Sequence, residues 1–501
     1  MSEQENKEKK EGVMAETSQQ TYPGGKGPAF PVTDMPESRW GKMTRKQTFL
    51  MMGPAIIALG GSIGGGEWLI GPAMFVKYGL VLLWVTTIST TLQTFLNLEM
   101  VRYTLVTGEP ITIGVMRLAP GKNFWGWLFT IAGFIERAMP GWALACATAV
   151  AAIQLGRIPA LADKPVVIFW AYFIFIGLGV LISIGGKVEK TLEIVQWIMV
   201  PTILITLIVL DAFLAPASTW GQALVGYVSF GAMPPGVDIL LLGALVGYSA
   251  YGGFGNTCLT NWYRDKGYGM AAKIGYIPAA VGGREVHVSP SGNMPAPTSE
   301  NVARFRGWWK LLNFDQWAIF WVGGLLGMAL PGVLYVCQLP RGTTLAPWGI
   351  AVSAAQRFGT LGLYMIAAMG FWIMFSSSMS NIDLVPRQCT DMLWYASPRV
   401  RKWVKNDIRK LYYALLLAVL VWGTIYVNIT LPIIILAISA NVANFTMALS
   451  AILTVIVNRK FLAKEFRPKV WREVVMIVAT VFYGFFFTLF VLTQFLGVKL
   501  H

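Results

Sequence analysis

Carboxylates inside long apolar runs are the residues with the most chemistry to offer, because a charge at membrane depth is costly and defaults to a functional role. Glu67 closes the stretch Leu59-Gly60-Gly61-Ser62-Ile63-Gly64-Gly65-Gly66-Glu67-Trp68. A carboxylate there can neutralise a bound cation or take up and release a proton; alternatively it sits against the dipole of a half-helix that it opens. Glu136 and Arg137 are adjacent, ahead of Met139-Pro140-Gly141. Helical neighbours point about 100° apart, so the two need not pair. Glu136 is then either a proton carrier or a partner for another helix. Asp383 and Arg387, near Ser376-Ser377-Ser378, lie four apart, the spacing of an intrahelical ion pair. Asp383 is a third coupling candidate, with the structural role favoured. Glu99 and Arg102 read as a pair at a span boundary.

Two apolar stretches are interrupted in a similar way, and they are what must position these groups. The first is the glycine run before Glu67; the other is Ala250-Tyr251-Gly252-Gly253-Phe254-Gly255-Asn256. Glycine is unfavourable in helix interiors and admits unusual backbone angles. Unwound backbone at membrane depth is tolerated only where it lines protein or a water-filled cavity. Paired broken helices, one in each half, predict an inverted repeat with a binding site at the midplane. Close packing of small residues is the alternative, but three glycines followed by a carboxylate exceed what packing needs. Ser62, Gly64, Gly65, Gly253 and Asn256 at the breaks, with Asn441 and Asn444 beyond them, would supply backbone and neutral oxygen ligands around Glu67. Hard cations such as magnesium prefer such oxygens. The second break offers no Met or His, which points away from manganese or iron.

Composition sets the environment. Of 501 residues, 55% are hydrophobic and 13% charged, against about 25% charged in a soluble chain. Charge-poor windows give eleven candidate spans near 48–78, 80–106, 124–155, 165–185, 191–215, 238–262, 315–338, 360–393, 411–429, 431–458 and 472–498. This predicts an all-α integral membrane protein. Repeat one covers about 48–216, repeat two about 238–458, and an extra helix 472–498. Most of the 40 Lys and Arg fall in the N-terminal segment and alternate loops. The positive-inside bias therefore places the N-terminus in the cytoplasm and the C-terminus outside, with the plasma membrane the expected location. Nucleic acid is not an expected partner; lipid and a small ion or solute are, and a monomer is expected. Residues 1–46 read as a disordered cytoplasmic tail without a signal peptide, and 263–314 as a cytoplasmic loop. His287 and His501 are the only histidines and lie outside the spans. No cysteine pairing, zinc spacing, nucleotide loop or nucleophile motif appears, so neither an enzyme nor a resident cofactor is expected.

The order of elements resembles the Nramp family of divalent-metal transporters (natural-resistance-associated macrophage proteins) over nearly all of 48–498. Gly53-Pro54, Trp68, Tyr78-Gly79-Leu80 and Leu83-Trp84 look like its first two helices, and Val106-Thr107-Gly108 like the turn that follows. Ile438-Ser439-Ala440-Asn441-Val442, with Asn458-Arg459-Lys460-Phe461-Leu462, is similar to helix ten and its loop. The resemblance implies a leucine-transporter-like 5+5 inverted repeat and alternating access. It also locates departures. The family's Asp-Pro-Gly-Asn falls on Gly64-Gly65-Gly66-Glu67, so Gly64 replaces the metal-binding aspartate. Its Met-Pro-His falls near Gly253-Phe254-Gly255, and its helix-ten glutamine on Asn441. The combined expectation is a divergent secondary transporter moving a hard, partly hydrated divalent cation, with Glu67 as the charged metal ligand. A small organic solute or anion on the same scaffold, or a non-transporting membrane sensor, are the alternatives.

Overall fold

The computed structural model describes residues 30–38, 44, 51–138, 141–343, 349–428 and 432–498. Among the described residues, extended pairing is confined to isolated bridges, and the architecture is helical. Nine helices of this part are long and apolar enough to cross a membrane. The first and sixth spans are not continuous helices. The first is Pro54–Ser62 followed by the π-wound Gly65–Ile70, which runs on as Gly71–Tyr78. The sixth is Ile239–Gly247 and Gly253–Lys266. This is the 5+5 leucine-transporter-like arrangement with broken first and sixth helices, plus an eleventh span, Val470–Gln494, against the tenth, Pro432–Phe461.

Local chemistry accounts for the ends. Pro54 opens the first helix, where its missing N–H is no loss. Asp238 caps the sixth span by accepting from Leu241 N at 3.1 Å, and Thr298 does the same for Asn301 N at 3.2 Å. The outward face is apolar: Phe169, Phe173, Ile176 and Val180 form one exposed stripe along the fourth span, Lys164–Ser183.

Several boundaries differ from the hydropathy reading. The 263–314 segment is helical at both ends, because Ser299–Phe314 continues through the π-wound Asp315–Trp321 into the seventh span, Val322–Gln338. Arg304, Arg306 and Lys310 hide that helix from a hydropathy window. The eighth span begins earlier, at Gly349, and kinks at Gly359 (φ 65°). A further helix, Ala217–Val228, lies between the fifth and sixth spans. Most of 1–46 lies outside the described residues, but 30–38 is held, not free. Thr33 N donates to Met294 O at 3.0 Å and Met294 N to Pro31 O at 2.9 Å. Trp308 Nε1 donates to Pro36 O at 2.8 Å.

At the end of the molecule carrying most of the basic residues, a buried ionic cluster ties the sixth span to the eighth. Arg387 Nε pairs with Asp383 Oδ2 at 2.6 Å, as its spacing predicts, and also with Asp265. Arg264 bridges Asp265 and Asp391 at 2.5 and 2.8 Å. Trp262 Nε1 (2.8 Å) and the Tyr412 hydroxyl donate to Asp383. All five charged side chains are buried. Removing one member of a buried network strands the others, at about 3–5 kcal/mol. Arg387→Met should therefore lower the unfolding free energy in detergent by about that amount, read by denaturant titration; a change below about 1 kcal/mol would show the cluster to be solvated.

Candidate functional site

Between the halves of the sixth span, residues 248–252 leave the helical path. Ala250 (φ 62°) and Gly252 (φ 77°) adopt left-handed backbone, which strands amides and carbonyls in the interior. Two other spans satisfy them. Gln93 of the second span (Leu83–Thr107) accepts on Oε1 from Tyr251 N at 3.1 Å, Gly252 N at 2.8 Å and Asn256 Nδ2 at 3.2 Å. Its Nε2 donates to Ser249 O. From the third span (Lys122–Arg137, then Gly141–Leu155), Glu136 accepts from Phe254 N at 2.7 Å and from the Thr446 hydroxyl. Arg137 donates from Nη2 to Tyr251 O at 2.5 Å and Gly252 O at 2.8 Å, and from Nη1 to Asn381 Oδ1 at 3.1 Å. A carboxylate thus caps the N-terminus of Gly253–Lys266 while the neighbouring guanidinium collects the carbonyls before it.

The first break is held from the eighth span by neutral groups. Ser377 Oγ donates to Gly61 O at 2.8 Å, Asn381 Nδ2 to Gly61 O at 3.3 Å, Ser376 Oγ to Gly60 O at 3.3 Å and Ser380 Oγ to Ile57 O at 2.9 Å. Gln196 of the fifth span (Val188–Leu214) braces the row, donating to Ser376 O and Ser380 Oγ, each at 2.9 Å. The two breaks touch: a Cβ on Gly66 would overlap Tyr248 O.

Glu67 lies in the first turn of the half-helix after the break, fully buried, and neither carboxylate oxygen has a hydrogen-bond partner among the described residues. Its stem passes close to Gly327 of the seventh span, within 3.7 Å of where a Cβ there would sit. Of the expected oxygen shell, Ser62 lies near it, with the main chain of Gly64 and Ala250, while the asparagines are engaged elsewhere. Ser62 Oγ donates to Leu59 O at 3.1 Å, in its own helix. Asn256 faces Gln93 and Asn97. Asn441 Nδ2 donates to Ala437 O at 2.8 Å and Leu240 O at 3.0 Å, while Asn444 donates to Gly243 O. Gly64 abuts Ser377, Gly65 abuts Trp142, and Gly253 abuts Glu136 and Ala443. Asp383 belongs to the ionic cluster and not to the breaks. Among the described residues no three His, Cys, Asp or Glu converge as a metal cage.

Reading the sequence for charge passed over the neutral partners. Ser89, Gln93 and Asn97 lie four apart on one face of the second span, a polar stripe that would have identified them. The stripe continues: Asn97 Nδ2 donates to Gln316 Oε1 at 3.0 Å, and Gln316 Nε2 to Tyr263 OH at 2.9 Å. Tyr263 in turn donates to Asp315, which also accepts from Ala55 N at 3.3 Å. A hydrogen-bonded row therefore links the sixth-span break to the start of the first span.

No family model and no curated relative matches the chain. Solved structures do. The chain superposes on a manganese transporter of Eremococcus coleocola, in a mutant form, with TM-score 0.63 and 13% identity over 91% of this chain and 89% of that one. A second mutant form gives 0.63 and 13% over 94% and 92%. A nucleobase-cation-symport-1 family transporter, closed with bromovinylhydantoin bound, gives 0.51 and 12% over 92% and 96%. The shared feature is the fold.

Gln93 is the neutral hinge of this arrangement, so an apolar replacement of similar size leaves two buried amides and one carbonyl without partners. Each such group costs about 1–3 kcal/mol. Gln93→Leu should destabilise the folded protein by about 3 kcal/mol or more, with Gln93→Glu milder because it keeps the acceptor. Thermal unfolding of the two variants in the same detergent checks the order.

Proposed function

We propose that this protein is a divergent Nramp-like secondary transporter working by alternating access, and that Glu67 binds the cation it moves. The observation that carries the reading is a fully buried carboxylate, without hydrogen-bond partners, at a helix break. A bare carboxylate in an apolar interior is strongly disfavoured until a proton or a metal ion joins it. Backbone carbonyls freed at the breaks, and waters carried in with the ion, would complete the shell. The absence of Met and His at the sixth-span break suits a hard divalent ion, magnesium before manganese. The fold shared with a manganese transporter supports alternating access but not that metal. We place the N-terminus in the cytoplasm and the protein in the plasma membrane, following the basic bias.

One observation favours a second reading. Arg137 brings a buried guanidinium to the other break, and a cation there is suited to a carboxylate-bearing organic solute.

Uptake into proteoliposomes separates them. Magnesium should enter vesicles containing the wild-type protein ahead of calcium, and Glu67→Ala should return uptake to the protein-free background. Wild-type vesicles that admit no divalent metal, with protein shown to be folded, would overturn the cation reading and turn the search to organic acids.

A further inference from the structure

We infer that Arg137 is a tethered cation: its guanidinium fills a carbonyl cage at the sixth-span break that would otherwise bind a free cation. The inference goes beyond the transport reading and does not rest on it.

Three oxygens from two elements converge on this one group, Tyr251 O at 2.5 Å, Gly252 O at 2.8 Å and Asn381 Oδ1 at 3.1 Å. Main-chain carbonyls turned inward by left-handed residues, with a side-chain amide oxygen, form the donor set that hard cations take when they exchange water for protein. Asn381 is fixed in this role because its Nδ2 is committed to Ser377 O at 2.9 Å and Gly61 O at 3.3 Å, which turns Oδ1 toward Arg137.

The remaining surroundings also suit a cation. The guanidinium carbon lies 4.7 Å from the Tyr248 ring centroid, 5.1 Å from Tyr251 and 5.7 Å from Trp142. The neighbouring carboxylate does not claim it, because Glu136 is engaged by Phe254 N and Thr446. Beside it, bounded by Trp142, Ser378 and Asn381, is a small cavity. The sixth-span break carries its positive charge on the chain itself.

The test measures stability and needs no transport. Purified wild type, Arg137→Ala and Arg137→Lys would be unfolded thermally in detergent with equal millimolar choline, sodium or guanidinium chloride. In choline, Arg137→Ala should unfold several degrees below wild type. Sodium or guanidinium should recover part of that loss by occupying the vacated cage, while wild type and Arg137→Lys give the same midpoint in all three salts. A folded Arg137→Ala that ignores the cation, or a wild type that responds as strongly, overturns the inference. Should Arg137→Ala not fold, Arg137→Gln against Arg137→Lys decides. The lysine variant, which keeps the charge, must be the more stable, and equal midpoints overturn the inference.

Discussion

Every backbone N–H and C=O at membrane depth must find a partner inside the protein, and a helix broken at the midplane violates that demand twice, once at each new end. The organisation of this molecule around its centre follows from meeting it. The two broken spans do not satisfy their own ends. Each is held by a helix from the opposite repeat, the third span gripping the sixth and the eighth gripping the first. The correspondence is positional, since the third and eighth spans occupy equivalent places in a 5+5 repeat. The chemistry has diverged within it. On the sixth span the grip uses a carboxylate and a guanidinium; on the first it uses serine hydroxyls and an asparagine amide. Bonds to charged groups contribute about 1.5–3 kcal/mol each and neutral ones about 0.5–1.5, so the hold on the first break is the weaker of the two.

Glycine makes that grip sterically possible at the centre. Gly66 brings one break against the carbonyl of Tyr248 in the other, and Gly247 meets Ala440 O, where any side chain would overlap main-chain oxygen. The breaks are therefore packed as one unit, with the tenth span against it. A triple glycine before Glu67 is explained by these contacts as much as by unwinding. Of the three, Gly64 and Gly65 face side chains, Ser377 and Trp142, and Gly66 alone faces backbone. Packing and broken-helix readings of the glycines were never exclusive, since the close approach is what allows the break to be buried.

The sequence revealed much of this where a single residue type carries the information in its own window. Charge-poor windows located the spans, glycine clusters located both breaks, and the four-residue spacing of Asp383 and Arg387 predicted a pair that the structure contains. What escaped depends on residues far apart in the chain. Asp265 and Asp391 complete the ionic cluster from other positions, and the polar stripe that marks Gln93 does not reveal that its acceptor serves amides some 160 residues away. Ser62 and Asn441 are polar residues of the right type in the right places, yet each donates to the carbonyl three or four residues before it. Such back-bonding within a helix is the ordinary way for an isolated polar side chain to be satisfied in an apolar span. Type and position suggested ligands; the direction of the side chain turns Asn441 away from Glu67, while Ser62 stays near it. The seventh span was underestimated for the converse reason, its charged first half being helical without being apolar.

Of the intramembrane charges at the breaks, Glu67 and Arg137 stand in different states of completion, and that difference carries more functional information than their signs. Arg137 has Nη1 and Nη2 directed at oxygens and three aromatic rings around it, leaving only Nε without a partner among the described residues. Glu67 has none of this: its oxygens are enclosed and unpaired. In a low-dielectric interior an unpaired acceptor is costly, by about 1–3 kcal/mol for a neutral group and more for a charged one. Three carboxylates elsewhere in the molecule are partnered, whereas Asp211, buried near the end of the fifth span, also has both oxygens without partners among the described residues. Glu136 caps a helix, Asp383 joins an ionic cluster, and Glu99 pairs with Arg102 and Arg472 at 2.6 Å each. Glu67 is set apart from Asp211 by its place, at a break where two helices meet. That place, and not the lack of a partner alone, is why the proposed transport reading puts its cation there.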